Sequence, residues 1–259
     1  MTARLIRLVV CLTCPGLAGG CASAPERVSS YKPPVRPDGM ILVADGAGGG
    51  QHAFTAVAAS VHRARLPASV SPFEWTHGVG RGIADMTDVE HSREAGRRMA
   101  AAIGRARERS PDTPIYLVGY SAGAHVCLEA ARWLGPGSVE RIILLAPAVA
   151  ADYDLRPALA AARLGVDAFV SQRDRLELRL GTDLVGTADG KRGVPAAGRV
   201  GFDPPPGSGA GSGLRQHPWS STVAWTGHDG THAGSLRPAY LRAYVLPLLD
   251  PATARPSDR

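Results

Sequence analysis

The feature that most constrains this chain is a serine between glycines at the end of an apolar run. Ile115-Tyr116-Leu117-Val118 leads directly into Gly119-Tyr120-Ser121-Ala122-Gly123, and an apolar stripe of Cys127, Ala130, Ala131 and Leu134 at helical spacing follows, with Gly135 and Pro136 suited to stop it. A buried strand must therefore turn sharply into a helix. Such a turn leaves the Ser121 hydroxyl exposed at its apex, and the flanking glycines keep side chains out of the crowded corner. The backbone N–H of Ala122, at the start of the helix, is expected to face an oxygen that becomes negative during acyl transfer.

The rest of the body repeats the strand–helix rhythm. Strands are expected at 40–44, 70–75, 115–118, 139–145, 167–170 and 222–225, and helices at 53–65, after a capping box Thr87-Asp88-Val89-Glu90, and around Leu241, Tyr244, Val245 and Leu248. In the long helix after Glu90, Ala95, Met99, Ala102, Ile103 and Ala106 make one apolar stripe, and arginines occupy the wet face. Apolar strands separated by helical stripes predict an α/β fold: a mostly parallel central sheet with helices on both faces, a three-layer αβα sandwich. Residues 181–216 break the rhythm with ten glycines and four prolines, which predicts a loop-rich insertion between two chemically interesting stretches, able to cover a pocket.

The chain has 259 residues, 44% of them hydrophobic, enough for one large core. Its net charge of +6 comes mostly from arginines interleaved with acids, as around Arg93, Arg97, Arg98, Arg105, Arg107 and Arg109. That pattern reads as a solvated helix face, and no zinc finger or aromatic–basic module points to nucleic acid. At the other extreme of polarity, Arg4 and Arg7 precede Leu8-Val9-Val10-Cys11-Leu12 and then Leu17-Ala18-Gly19-Gly20-Cys21. A basic start, a short apolar stretch and small residues before a cysteine describe an export signal over 1–20, too short to span a bilayer. The stretch resembles a bacterial lipoprotein signal, which implies a lipid anchor on Cys21 and a place in the cell envelope, with a cytoplasmic protein as the alternative. Residues 21–38, with four prolines, then read as an extended tether, 39–251 as the folded domain and 252–259 as a tail. Of four cysteines only Cys127 lies in the body, so no internal disulfide is available there.

With the serine turn, the acid-bearing strand end and the late histidines in this order, residues 40–249 resemble an α/β-hydrolase. The resemblance implies a mostly parallel eight-stranded sheet, of which about six strands are plain here, so the first antiparallel pair is expected to be short or missing. It also implies a serine hydrolase that cleaves a carboxylic ester, of a small molecule or a lipid-like substrate, through a covalent acyl-enzyme. Ser121 would be the nucleophile. Asp174, in Val170-Ser171-Gln172-Arg173-Asp174, takes the family's acid position ahead of Asp152, Asp154 and Asp167, and Asp167 should sit at the opposite end of its strand. The base is expected in Thr226-Gly227-His228-Asp229-Gly230-Thr231-His232: His232 first, in mid-loop before Pro238, and His228 as the alternative. The second oxyanion donor would be Ala47 N–H, in Asp45-Gly46-Ala47, where Asp45 replaces the histidine common in the family. His52 could line the pocket mouth, and His125 would cap or pack the nucleophile helix. Family members range from esterases and lipases to peptidases and non-hydrolytic relatives, so neither acyl length nor oligomeric state follows.

Two other readings share these residues. A catalytically inactive α/β-hydrolase-like binding protein would keep the fold and fail to acylate Ser121. A nucleotide-binding protein would use Gly48, Gly50 and Ala53, which fit a relaxed G-x-G-x-x-A turn after a strand, with Glu74 at a ribose. No cofactor is expected. No metal site is expected either: His228 and His232 are four apart, but Gly230 weakens a helix there and Asp229 stands where H-E-x-x-H needs glutamate.

Overall fold

A computed structural model describes residues 37–174, 186–204 and 213–254. The expected export segment 1–20, Cys21, all but the end of the tether 21–38, parts of the 181–216 stretch and the tail beyond 254 lie outside the described residues.

Among the described residues six strands form one sheet: β1 Gly39–Ala44, β2 Ala68–Pro72, β3 Ile115–Tyr120, β4 Arg141–Leu145, β5 Val166–Val170 and β6 Leu214–Pro218, in the order β2-β1-β3-β4-β5-β6. Every neighbouring pair is parallel. Parallel pairs need crossovers, and the chain supplies them as α1 His52–Ala64, α2 Gly82–Thr87, α3 Val89–Arg109, α4 Gly123–Ala131, α5 Arg156–Ala161 and α6 Ala197–Val200. On one face, Leu117, Ile142, Leu144 and Ala168 pack with Met99, Ile103, Cys127 and Leu128. On the other, Ile41, Val43, Val118, Ile143 and Phe169 pack with Val57, Val61, Leu241 and Val245. Covered on both sides, β3, β4 and β5 are buried at every residue, which is why they read as largely apolar runs. The helical layer is tight: a Cβ on Gly96 of α3 would lie 2.6 Å from Glu129 Cβ on α4. This is the parallel αβα sandwich expected of an α/β-hydrolase, and among the described residues no antiparallel strand precedes β1.

Three local expectations are corrected. Residues 222–225 are not a strand; Ser221–Thr226 is a 3-10 turn with Trp225 68% exposed, and the last strand is β6. β6 is an edge strand with polar, partly exposed Arg215 and Gln216, so it lacks the apolar signature of its neighbours. It begins inside the glycine- and proline-rich stretch, whose described parts are tied down: Ala188, Ala197 and Gly198 donate backbone N–H bonds to Ala148, Val149 and Pro147. The cap of α3 is Asp88, whose carboxylate accepts the His91 N–H at 3.0 Å, while the Thr87 hydroxyl donates to Ile83 O and closes α2. The final helix is irregular, an α turn Pro238–Tyr240, a π turn Leu241–Val245 and a 3-10 turn Leu246–Leu248; Pro247 lacks the N–H that a regular helix would need.

Because β1 connects to β2 on one side while β3 lies on its other side, the strand order reverses between β1 and β3. In open parallel sheets the crevice at the carboxyl ends of such strands is where ligands bind. The two glycine turns, after Ala44 and after Tyr120, both leave the sheet there.

Candidate active site

Ser121 sits between β3 and α4 with φ of 52°, in the left-handed region that a non-glycine residue occupies at a cost of about 1–3 kcal/mol. Its backbone is held on both sides: Ser121 N–H donates to Leu145 O at 3.0 Å, and Ser121 O accepts from Ala124 and Ala148 N–H at 3.2 and 3.0 Å. The flanking glycines are sterically required. A Cβ on Gly119 would lie 2.6 Å from Ala124 Cα, and one on Gly123 would collide with the carbonyls of Ala44 and Asp45. The turn after β1 is pressed against the same residue, since a Cβ on Gly46 would stand 3.2 Å from Ser121 Cβ. The Ala122 and Ala47 N–H groups donate to no acceptor among the described residues.

Asp174 lies four residues past the end of β5, 2% exposed, in a turn closed by its own N–H to Ser171 O at 3.0 Å. Its Oδ2 is 2.8 Å from His232 Nδ1, and His232 is 9% exposed at the start of a 3-10 turn, His232–Leu236. The two loops are stitched together: Ser171 Oγ donates to Gly230 O at 2.7 Å, and a Cβ at Gly230 would lie 2.8 Å from Arg173 Cβ. The His232 ring is 5.0 Å, centroid to centroid, from that of Tyr120, the residue preceding Ser121. Among the described residues no hydrogen bond joins Ser121 Oγ to either candidate imidazole. His228 is placed otherwise. It is buried, its Nδ1 accepts the Gly230 N–H at 3.1 Å, its carbonyl accepts from Trp219 Nε1, and it meets the Tyr240 ring edge-on at 4.5 Å. Burial lowers its pKa, which keeps the ring neutral and suits an acceptor.

The remaining candidates have other partners. Asp152 pairs with Lys191, Asp154 with Arg156, and Asp167 with Arg141, Arg215 and His217. His125 is buried in α4 against Ser92 Oγ at 2.8 Å and Glu129 at 3.5 Å, and Cys127 is fully buried with its thiol pushed up to about 12. His52 is exposed at the first turn of α1. Asp45 turns away from Ser121: its carboxylate accepts Ala53 and Phe54 N–H at 2.7 and 2.8 Å and so caps α1, although burial still raises its pKa. Those amides are the ones a dinucleotide phosphate would need, and Glu74 is bonded to Gln51, so this turn is already filled by the chain itself. Among the described residues no group of three or more His, Cys, Asp or Glu could hold a metal ion, and no helix is long and apolar enough to cross a membrane.

The family described as serine aminopeptidase, S33, matches residues 75–181, a stretch that includes Ser121 and Asp174 and ends before His232. No curated protein matches the chain. Among solved structures, it is similar to the catalytic core domain of acetyl xylan esterase from Trichoderma reesei (16% identity, 85% of this chain and 100% of that one, TM-score 0.45). It is also similar to a cutinase-like protein from Cryptococcus sp. (15% identity, 83% and 97%, TM-score 0.44) and to TT1662 from Thermus thermophilus (15% identity, 85% and 90%, TM-score 0.48).

Proposed function

We propose that the protein is a serine hydrolase of carboxylic esters, with Ser121 as nucleophile, His232 as base and Asp174 as the acid that orients it. The observation that carries the reading is the strained Ser121 turn, with the ring of its neighbour Tyr120 packed against an imidazole that a buried carboxylate holds at 2.8 Å. An Nδ1–H bonded to Asp174 leaves Nε2 of His232 as the acceptor, the tautomer a general base needs.

In the reaction, His232 Nε2 takes the hydroxyl proton as Ser121 Oγ attacks the ester carbonyl. The Ala122 and Ala47 N–H groups receive the oxyanion, and the imidazolium returns the proton to the departing alcohol. Water activated by the same imidazole then releases the acid from Ser121. An ester is preferred to the amide of an aminopeptidase because an alcohol needs less help to leave. The filled turn at α1 argues against the nucleotide reading, and the inactive binding protein is decided by assay.

The test is a panel of p-nitrophenyl esters of graded acyl length and aminoacyl p-nitroanilides, run with fluorophosphonate labelling. Wild type is expected to cleave esters faster than anilides and to be labelled on Ser121. Ser121→Ala should lose both, with kcat down about 10⁴–10⁶-fold, and His232→Ala should be far more damaging than His228→Ala. A wild type that neither labels nor turns over is the inactive binding protein, and a dominant His228 effect exchanges the two imidazoles.

A further inference from the structure

The turn that carries Ala47 is tied to distant parts of the chain. Gly48 and Gly49 have φ of 96° and 70°, and no strand or helix includes them. Besides the bonds of Asp45 to the start of α1, the turn is held by the stretch between β2 and α3. Asp85, 1% exposed on α2, accepts the Gly48 N–H on Oδ2 at 2.7 Å. Its other oxygen, Oδ1, accepts the His77 N–H at 2.7 Å and pairs with His77 Nδ1 at 2.9 Å. The two backbones also touch directly: Gly80 N–H donates to Gly48 O at 3.2 Å, and a Cβ on Gly49 would stand 3.0 Å from Val79 N. On the other side of Ala47, Asp45 O accepts from Trp75 Nε1 at 2.8 Å. Trp75 O in turn meets His91 Nε2, and the His91 ring stacks on His77 at 3.9 Å. Asp45 and Gly48, which bracket Gly46-Ala47, are thus both fastened to one network, through Trp75 and through Asp85.

From this closed circuit we infer that Asp85, fixed by His77, is a positioning residue for the oxyanion donor: it sets where the Ala47 N–H points without touching substrate. The inference rests on the hydrolase reading. A buried carboxylate with both oxygens engaged has little freedom to move, and an oxyanion donor works only when held in place before the charge develops. Asp85→Asn keeps the size and loses acceptance at one oxygen, so Gly48 or His77 is left without its partner. Ground-state binding does not use this donor strongly, so the loss should fall on kcat.

The test compares wild type, Asp85→Asn and His77→Phe on a p-nitrophenyl ester and the matching thionoester, whose sulfur makes poor use of oxyanion donors. Asp85→Asn should lower kcat for the ester about 10–100-fold with KM within about twofold, and the ester-to-thionoester ratio of kcat/KM should shrink by a similar factor. His77→Phe keeps a ring against His91 and should give a smaller loss, about 3–10-fold, in the same direction. It decides the matter alone if Asp85→Asn does not fold. An active wild type with an unchanged ratio in the folded variants, or with only KM altered, overturns the inference and leaves the hydrolase reading intact. A wild type that neither cleaves esters nor labels with fluorophosphonate overturns both.

Discussion

Asp174 and Asp167 are both buried and both hold an imidazole nitrogen at 2.8 Å, yet they are built for different purposes. Asp167 lies within β5, fully buried, and is surrounded by donors: Arg141 at 2.7 Å, Arg215 at 2.9 and 2.7 Å, and His217. Burial alone would raise its pKa. The bonds from His217, Arg215 and Arg141 outweigh that and hold the carboxyl well below its ordinary range. Asp174 lies beyond the strand end in a loop and, among the described residues, has one side-chain hydrogen-bond partner, His232. A saturated carboxylate locks strands β4, β5 and β6 to one another. In the proposed mechanism the Asp174 carboxylate orients one ring, and that ring's other nitrogen is the base.

The largest effect that tests this contrast is on turnover. Asp174→Asn preserves shape but no longer favours the imidazolium, and kcat should fall about 10³–10⁴-fold while thermal stability changes little. Near-normal turnover in that variant, beside a large loss of turnover per folded molecule in Asp167→Asn, would reverse the assignment of the two pairs.

The next effect is on stability. Asp167→Asn leaves the largely buried Arg141 guanidinium without its counter-charge, and urea unfolding should show a loss of about 3–5 kcal/mol with kcat per folded molecule unchanged. The pH dependence has a definite sign. A carboxyl whose folded pKa is depressed contributes its stability above the unfolded value of about 3.9 and loses it as pH falls through the folded one. The gap between wild type and Asp167→Asn should therefore be full at about pH 6 and narrow as the pH drops below about 4. A gap independent of pH would mean that packing, not charge, is what Asp167 provides.

These contrasts also show what a sequence exposes. The Ser121 turn is legible because all its constraints are local: an apolar strand, two obligatory glycines and a helix within a few residues. β3, β4 and β5 are legible because burial on both faces fills them mostly with apolar side chains, and the charged exceptions, Arg141 and Asp167, pair with each other. β6 is not, because an edge strand tolerates polar residues such as Arg215 and Gln216, and the apolar Val223-Ala224-Trp225 is the more conspicuous segment. Asp174 and His232 are 58 positions apart, so no local pattern pairs them, and they could be picked only through family resemblance. Asp85 is 37 positions from Gly48 and resembles any helical aspartate; the signal that could have found it is the glycine-rich Gly78-Val79-Gly80-Arg81-Gly82 just before it, a run suited to close backbone approach.

The smallest effect separates the two imidazoles. His217 is on the edge strand with its side chain 37% exposed, stacked on Phe169 at 4.4 Å, and among the described residues it is one of three side chains sharing Asp167. Replacing it by glutamine retains an N–H donor near the carboxylate and leaves both guanidiniums in place, so unfolding free energy should change by about 0.5 kcal/mol and kcat not at all. The same replacement at His232 removes the proposed proton acceptor and should abolish turnover with no comparable loss of stability. If His217→Gln instead costs several kcal/mol, the imidazole is an essential member of the strand lock rather than a supplementary donor, and Asp167 depends on it as closely as Asp174 depends on His232.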